Sequence, residues 1–327
     1  MNFTRRKYLK QLSLLSFALA AYPTRNLFAS AQNISKASQL LSESNFGNFK
    51  YIYGSEKYRS EFFPFLVNVF NLYPEKEFHK LIAQVTVEKQ FDNEIYQEVQ
   101  QQLKNIKPLL GDLTYAIPAL NKQKKVITQQ TLKLLPDVKK VDGYLEFGST
   151  GRYLDELEEH LKIRGNICFI DSKPASFYPD SVVDRGQLSK AGRFIPLNNY
   201  DTRIAKNLPK NSFDLVTVYI GFHHCPPHLR EEFITSIRDV LKPNGKLILR
   251  DHDASNERMR RVVALAHDVF NLGTKETVEY NHKEERYFYS LEFLNKMMHK
   301  FGFKSAGEKI LQEGDPTLNT LMLYTKA

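Results

Sequence analysis

After Lys140 the chain alternates short β-rich runs with helical stretches, and this alternation constrains the fold more than any other feature of the sequence. Strands that return to one sheet through intervening helices run parallel, so the pattern specifies α/β layers. Strands are expected at Gly143 to Phe147, Asn166 to Asp171, Arg193 to Leu197, Phe213 to Ile220 and Lys246 to Arg250, with helices at Tyr153 to Leu161 and Leu229 to Leu241. Ser305 to Gln312 and Leu318 to Thr325 flank the turn-forming run Glu313-Gly314-Asp315-Pro316-Thr317, so the parallel sheet is expected to finish in an antiparallel hairpin.

Upstream, between Phe49 and Pro136, apolar residues recur at helical spacing, as in Phe62, Phe63, Leu66, Val69 and Phe70. Breakers at Pro64, Pro74, Pro108, Gly111 and Pro118 divide this stretch into several helices. It reads as a helical cap over residues 49–140, ahead of a sheet domain at 141–327, and its aromatic residues read as core. Residues 32–48 are polar and aperiodic, as expected of a linker.

The first 31 residues read as an address. Thr4-Arg5-Arg6-Lys7-Tyr8-Leu9-Lys10 is a basic segment with an arginine pair, followed by a short apolar run and the small-residue site Ala29-Ser30-Ala31. It resembles a twin-arginine signal peptide, which implies recognition by the twin-arginine translocase, a periplasmic location and folding before export. An uncleaved signal serving as a membrane anchor is the alternative. The apolar run Leu12 to Ala21 is about half the length a membrane-spanning helix needs.

The formal charge of +9 invites a nucleic-acid reading, but five of those charges precede Ala31 in a segment with no acidic residue, which leaves +4 elsewhere. The remaining Lys and Arg are interspersed with Asp and Glu and form no basic stripe, so no nucleic-acid partner is expected. The two cysteines, Cys168 and Cys225, provide neither a metal-binding pair nor a disulfide framework.

Chemistry concentrates where the expected strands end. Tyr144-Leu145-Glu146-Phe147-Gly148-Ser149-Thr150-Gly151-Arg152-Tyr153 reads as a strand entering a glycine turn and then a helix, a place where backbone can approach a ligand closely. Asp171 closes the next strand, where a carboxylate can accept both hydroxyls of a ribose. Asn211-Ser212-Phe213-Asp214-Leu215-Val216 opens the fourth strand and Leu241-Lys242-Pro243-Asn244-Gly245-Lys246-Leu247 leads into the fifth. In this order the four motifs resemble class I S-adenosylmethionine-dependent methyltransferases. The resemblance covers about Tyr144 to Lys326 and implies a Rossmann-like, doubly wound, seven-stranded sheet with a C-terminal β-hairpin, and S-adenosylmethionine as cofactor. By that resemblance Glu146, Gly148, Ser149 and Gly151 surround the methionine moiety, Asp171 holds the ribose, and Asn198 or Asn199 lies near the adenine. The glycine loop is one residue shorter than the family's usual form, and asparagine replaces the acidic residue expected after the third strand.

On the acceptor side, Gly221-Phe222-His223-His224-Cys225-Pro226-Pro227 and Arg250-Asp251-His252-Asp253 follow strands four and five, whose ends form a ligand crevice in an open α/β sheet. A base there can free the lone pair of an oxygen or nitrogen acceptor, which makes His223, His224, Asp251 and His252 the catalytic candidates. The expected acceptor is a small or medium-sized molecule. His223, His224, His252 and Asp253 are also a conceivable ligand set, but no HxxxH-type spacing supports one and no metal is expected. Arg258 to Asn271 reads as a helix covering the pocket, with His267, Tyr287 and Tyr289 as further contact candidates, and the charged stretch Lys275 to Arg286 reads as a solvated loop. An exported, non-catalytic binding module on the same fold is the alternative, because the periplasm is not expected to supply the cofactor. A nicotinamide-dependent dehydrogenase is disfavoured by the glycine spacing.

Overall fold

A computed structural model describes residues 47–106, 115–177, 192–200 and 207–327, with isolated positions 182 and 185. The expected signal, 1–31, and nearly all of the expected linker lie outside the described residues. Asn48, placed in that linker by the sequence reading, opens the first described helix. Among the described residues no helix is long and apolar enough to cross a membrane.

Seven strands form one sheet in the order β3-β2-β1-β4-β5-β7-β6. They are β1 (Lys140–Phe147), β2 (Lys162–Asp171), β3 (Arg193–Pro196), β4 (Phe213–Val218), β5 (Leu241–His252), β6 (Phe303–Leu311) and β7 (Asn319–Lys326). The first five pair in parallel, and β7 runs antiparallel between β5 and β6. This is the expected doubly wound, seven-stranded sheet with its terminal hairpin. The chain winds outward from β1 to β3, then returns to place β4 on the other side of β1, which creates a switch point between β1 and β4.

Several strands begin earlier than expected, β2 at Lys162 and β6 at Phe303 among them, and in two the reason is visible. β1 extends back to Lys140 across an irregularity beside Gly143, which has φ +93°. In β5, Leu241 pairs with Phe213 before the Lys-Pro-Asn-Gly segment bulges out and Lys246 resumes pairing with Leu215. That bulge has a purpose in the sheet: Lys242 lies 2.8 Å from Asp142 and 3.1 Å from Asp214, clamping the amino-terminal ends of β1, β4 and β5. Asn211 receives a hydrogen bond from Lys326 at the same edge. Two of the four family motifs therefore serve assembly at the end of the sheet opposite the ligand crevice.

Side chains alternate across β1 with the two-residue period of a strand. Leu145 and Phe147 enter the core made with α7 (Arg230–Val240) and α10 (Leu291–Lys300), whereas Tyr144 faces the opposite core with α6 (Leu154–Glu158) and α5 (Ile117–Leu134). Helix α5 thus packs on the sheet, although the sequence reading groups it with the cap.

The earlier helices, α1 (Asn48–Tyr53), α2 (Glu56–Phe65), α3 (Glu75–Glu88) and α4 (Asp92–Ile106), bury an aromatic core against α8 (Glu257–Gly273). Val262, Leu265, Ala266, Val269 and Leu272 of α8 face this core, one stripe of an amphipathic helix. The helical region therefore meets the rest of the molecule through α8. The supposed solvated stretch after it contains α9 (Val278–Lys283) and a part-buried ionic group: Arg286 lies 2.8 Å from Asp268 and 2.7 Å from Glu284. Asp268 also accepts from Asn48 at 3.2 Å, joining α1 to the network.

Asp92, at the start of α4, accepts from Phe49 N at 3.4 Å. Burial, and then the nearby Asp268, push its carboxyl from 3.8 up to about 6. A carboxyl raised on folding contributes stability at low pH that is lost as pH rises through its folded value. Asp92→Asn retains an acceptor without the charge, so its urea midpoint is expected to exceed wild type at about pH 8 and to match it near pH 4.

Candidate active site

The carboxyl ends of β1, β2 and β3 form one pole of the crevice. Glu146 is fully buried, with Tyr144 donating to Oε2 at 2.6 Å and Ser149 donating to Oε1. Burial pushes its carboxyl up, against the pull of those hydrogen bonds. Ser149 Oγ in turn accepts from Arg152 N at 3.0 Å, so Glu146 braces the glycine turn from beneath. Gly148 (φ +79°) and Gly151 (φ +98°) both occupy left-handed backbone, and a side chain on Gly148 would strike Ile220 O at 2.6 Å. The glycine turn and the segment after β4 are thereby in direct contact. The helix after this turn is shorter than expected and begins only at Leu154.

Asp171 ends β2 in a half-buried position, its Oδ1 accepting from Ser172 N at 2.6 Å. Its backbone carbonyl accepts from Leu197 N at 2.9 Å, which brings the exposed Asn198 and Asn199 close in the chain to the same sheet end. Tyr200 reaches from this side to donate to Gly221 O beyond β4, and its ring packs edge-on against Phe233 at 5.1 Å. A partly exposed carboxylate with exposed amides nearby suits the diol and base of a nucleoside, so these residues fit the expected cofactor.

The other pole stands at the ends of β4 and β5. Gly221 (φ +95°) turns the chain so that His223 is buried beside Asp251, with His223 Nδ1 donating to Asp251 Oδ1 at 3.1 Å. His252 N also donates to that oxygen, at 2.8 Å, and His252 Nδ1 donates to Thr317 O at 3.1 Å. His267, on the face of α8 away from the helical core, donates from Nδ1 to Val263 O at 2.9 Å. Its Nε2 lies 2.9 Å from Nε2 of His223. The three imidazole centroids are 4.8 to 5.5 Å apart, with the Phe288 ring over them at 5.0 to 6.3 Å. The segment carrying Phe288 is strapped down, since Tyr287 N donates to His223 O and Ala254 N to Tyr289 O.

Electrostatics make these imidazoles lone-pair donors. Burial, and then His223, hold His252 down to about 3 and His224 down to about 4; the same causes place His267 well below its ordinary value. Burial pushes Asp251 up, but the attraction of His223 and the hydrogen bonds outweigh it and leave the carboxyl below its usual range. At neutral pH His252, His224 and His267 are therefore neutral and Asp251 is ionised.

Of the four catalytic candidates, His223, Asp251 and His252 come together. The His224 ring packs on His223 with centroids 4.4 Å apart, but its nitrogens turn to other partners: Nδ1 donates to Glu285 O at 2.7 Å and Nε2 lies 3.9 Å from Glu284. Asp253 caps the start of α10 by accepting from Leu291 N at 3.1 Å. Sequence reasoning left His267 as a remote contact candidate and overlooked Tyr200, Phe288 and Thr317. A histidine within a mostly apolar helix carries no local sign of its partners. The position of His267 four residues after Val263, and off the stripe facing the helical core, is the signal available.

These two poles suit a cofactor bearing a nucleoside at one and a second ligand at the other. A family model described as a methyltransferase domain matches residues 120–306, more than half of the chain. The chain belongs to this methyltransferase family, and its cofactor is S-adenosylmethionine. No curated protein matches the sequence. Similar solved structures include the CurJ carbon methyltransferase, at 16% identity over 98% of this chain and 79% of that one, with a TM-score of 0.46. Another is the 1,6-didemethyltoxoflavin-N1-methyltransferase of Burkholderia thailandensis, crystallised with its substrate and S-adenosylhomocysteine, at 12% identity over 62% and 78% with a TM-score of 0.40. The N-methyltransferase NodS of Bradyrhizobium japonicum is 15% identical over 63% and 95%, with a TM-score of 0.39. Likenesses of this size do not bear on the acceptor.

The contact between Gly148 and Ile220 makes a direct prediction. Gly148→Ala adds a Cβ against backbone and forces a left-handed φ on a residue that resists it, at a cost of about 1–3 kcal/mol. Chemical denaturation is expected to show that loss, with cofactor affinity falling as well.

Proposed function

We propose that the chain transfers the methyl group of S-adenosylmethionine to an oxygen or nitrogen atom of a small or medium-sized acceptor bound at the ends of β4 and β5. The observation that carries this reading is the group of buried His223, Asp251 and His252 with half-buried His267 beside the switch point, one strand from the glycine turn. The bound cofactor supplies an activated methyl on its sulfonium. The chain's own work is to hold the two reactants in line and keep water out. Asp171 takes the ribose hydroxyls, Asn198 and Asn199 lie toward the base, and Gly148 and Gly151 shape the turn that Glu146 and Ser149 brace. Neutral imidazoles facing the acceptor accept hydrogen bonds from an O–H or N–H and favour release of its proton. Phe288 shields them from solvent.

Export by the twin-arginine route to the periplasm is part of the proposal and rests on the sequence Thr4 to Lys10 and the site Ala29-Ser30-Ala31. A folded protein carried by that route can bring cofactor with it. Arg5→Lys combined with Arg6→Lys is expected to retain the protein in the cytoplasm, as fractionation and immunoblotting will show; unchanged export refutes the route.

Calorimetric titration with S-adenosylmethionine and S-adenosylhomocysteine tests the enzyme reading. Binding is expected, with Asp171→Ala weakening it about tenfold or more through lost charge-assisted hydrogen bonds while leaving thermal stability nearly unchanged. Well-folded protein that binds neither ligand overturns methyl transfer and favours the exported binding module.

A further inference from the structure

The buried His223 and His252 and the half-buried His267 have a hydrogen-bonding problem that the described protein atoms do not solve. A carbonyl or carboxylate oxygen only accepts, so the partners of Nδ1 dictate the tautomers: Asp251 for His223, Thr317 O for His252 and Val263 O for His267. Each Nδ1 therefore carries the proton, and each Nε2 is left with a lone pair. Yet Nε2 of His223 and Nε2 of His267 face each other at 2.9 Å, a repulsive arrangement unless something positive lies between them. One ring nitrogen from each of the three residues lies within 4.8 Å of the others. A shared proton can satisfy two of these lone pairs and leaves the third unanswered. A metal ion that draws the three nitrogens to within about 4 Å of one another satisfies all three.

The surroundings have the same character. Histidine ligands of metals ordinarily donate their other N–H to a carboxylate or a backbone carbonyl, which fixes the ring and makes the ligating nitrogen more basic. All three do so here. Asp251 is buried, and its second oxygen, Oδ2, has no hydrogen-bond partner among the described residues, so negative charge stands next to the cluster. The positive charge of nearby Arg286 is already matched by Asp268 and Glu284.

We propose that His223, His252 and His267 bind a divalent transition-metal cation through Nε2, with zinc the best match to three imidazoles and an open fourth position. Asp251 is a positioning residue that orients His223. Resting on the methyltransferase reading, the role of the fourth position is to take an oxygen of the methyl acceptor, which keeps a second lone pair for the methyl group and loses its proton through the pull of the ion instead of to a free imidazole, so the substrate class narrows to oxygen acceptors that can ligate such a cation. The three ligands come from the β4 loop, the end of β5 and α8, so no short spacing motif marks them. The expectation of no metal was drawn from that missing spacing.

The test uses the full chain, purified without a polyhistidine tag, stripped with a chelator and titrated with Zn²⁺ by calorimetry and with Co²⁺ by visible absorption. One ion per chain is expected, with the ligand-field bands of a four-coordinate cobalt site. His267→Ala and His252→Gln are expected to abolish binding, and Asp251→Asn to weaken it about 10–100-fold. His228→Ala, on the surface, is expected to bind as wild type. Folded wild type that takes up no ion, or undiminished binding by His267→Ala, overturns the site. Should the ligand variants fail to fold, the wild-type cobalt spectrum decides, and one resembling the aqueous ion overturns it. Cofactor binding without metal binding sinks this site alone, whereas metal binding without cofactor binding sinks methyl transfer and leaves the site standing.

Discussion

The parallel pairing of β4 with β1 on one side and β5 on the other is the constraint on which the rest depends. Pairing with β1 sets the glycine turn against Ile220 and so places the cofactor pole next to the segment bearing His223. Pairing with β5 sets Asp251 and His252 beside that same histidine. The buried strands are short, and a one-residue slip turns every side chain to the opposite face, so register here specifies chemistry as well as packing. Lys242, between Asp142 and Asp214, ties these three strands together at their other ends. Its individual contribution as a surface ion pair is small, but it sits where the alignment is set.

Helix α8 then joins two tasks in one element. One stripe closes the aromatic core of the N-terminal helices, and the face bearing Val263 and His267 completes the histidine cluster. The position of His267 is thus supported by a core remote from it in sequence. The Asp268, Arg286 and Glu284 group extends that support to the strap over the site. Breaking such a buried group by removing one partner strands an uncompensated charge, which ties the order of the strap to that of the helix.

Burial decides the electrostatic character of the site. His252 and His267 are held neutral because burial disfavours their charged forms, while Asp251 stays ionised because His223 and the backbone N–H of His252 answer its charge. Neutral nitrogens beside an ionised carboxylate make a pole that attracts protons or cations.

Local signals in the sequence were enough for the sheet, its terminal hairpin and the strand ends at which the candidate residues gather, because alternating apolar periods, glycine turns and acidic strand ends are each read within a few residues. His223, Asp251 and His252 were legible for the same reason: each lies within a few residues of a strand terminus. Strand edges at Lys140 and Leu241 were hidden by glycine- and proline-bearing irregularities that tertiary pairing tolerates. Only the tertiary structure decided that His267 joins the cluster, that His224 and Asp253 turn to other partners, and that Glu146 braces the turn from below. Which nitrogen faces which depends on atoms tens to hundreds of residues apart in the chain, and no periodicity or short motif encodes a contact of that kind.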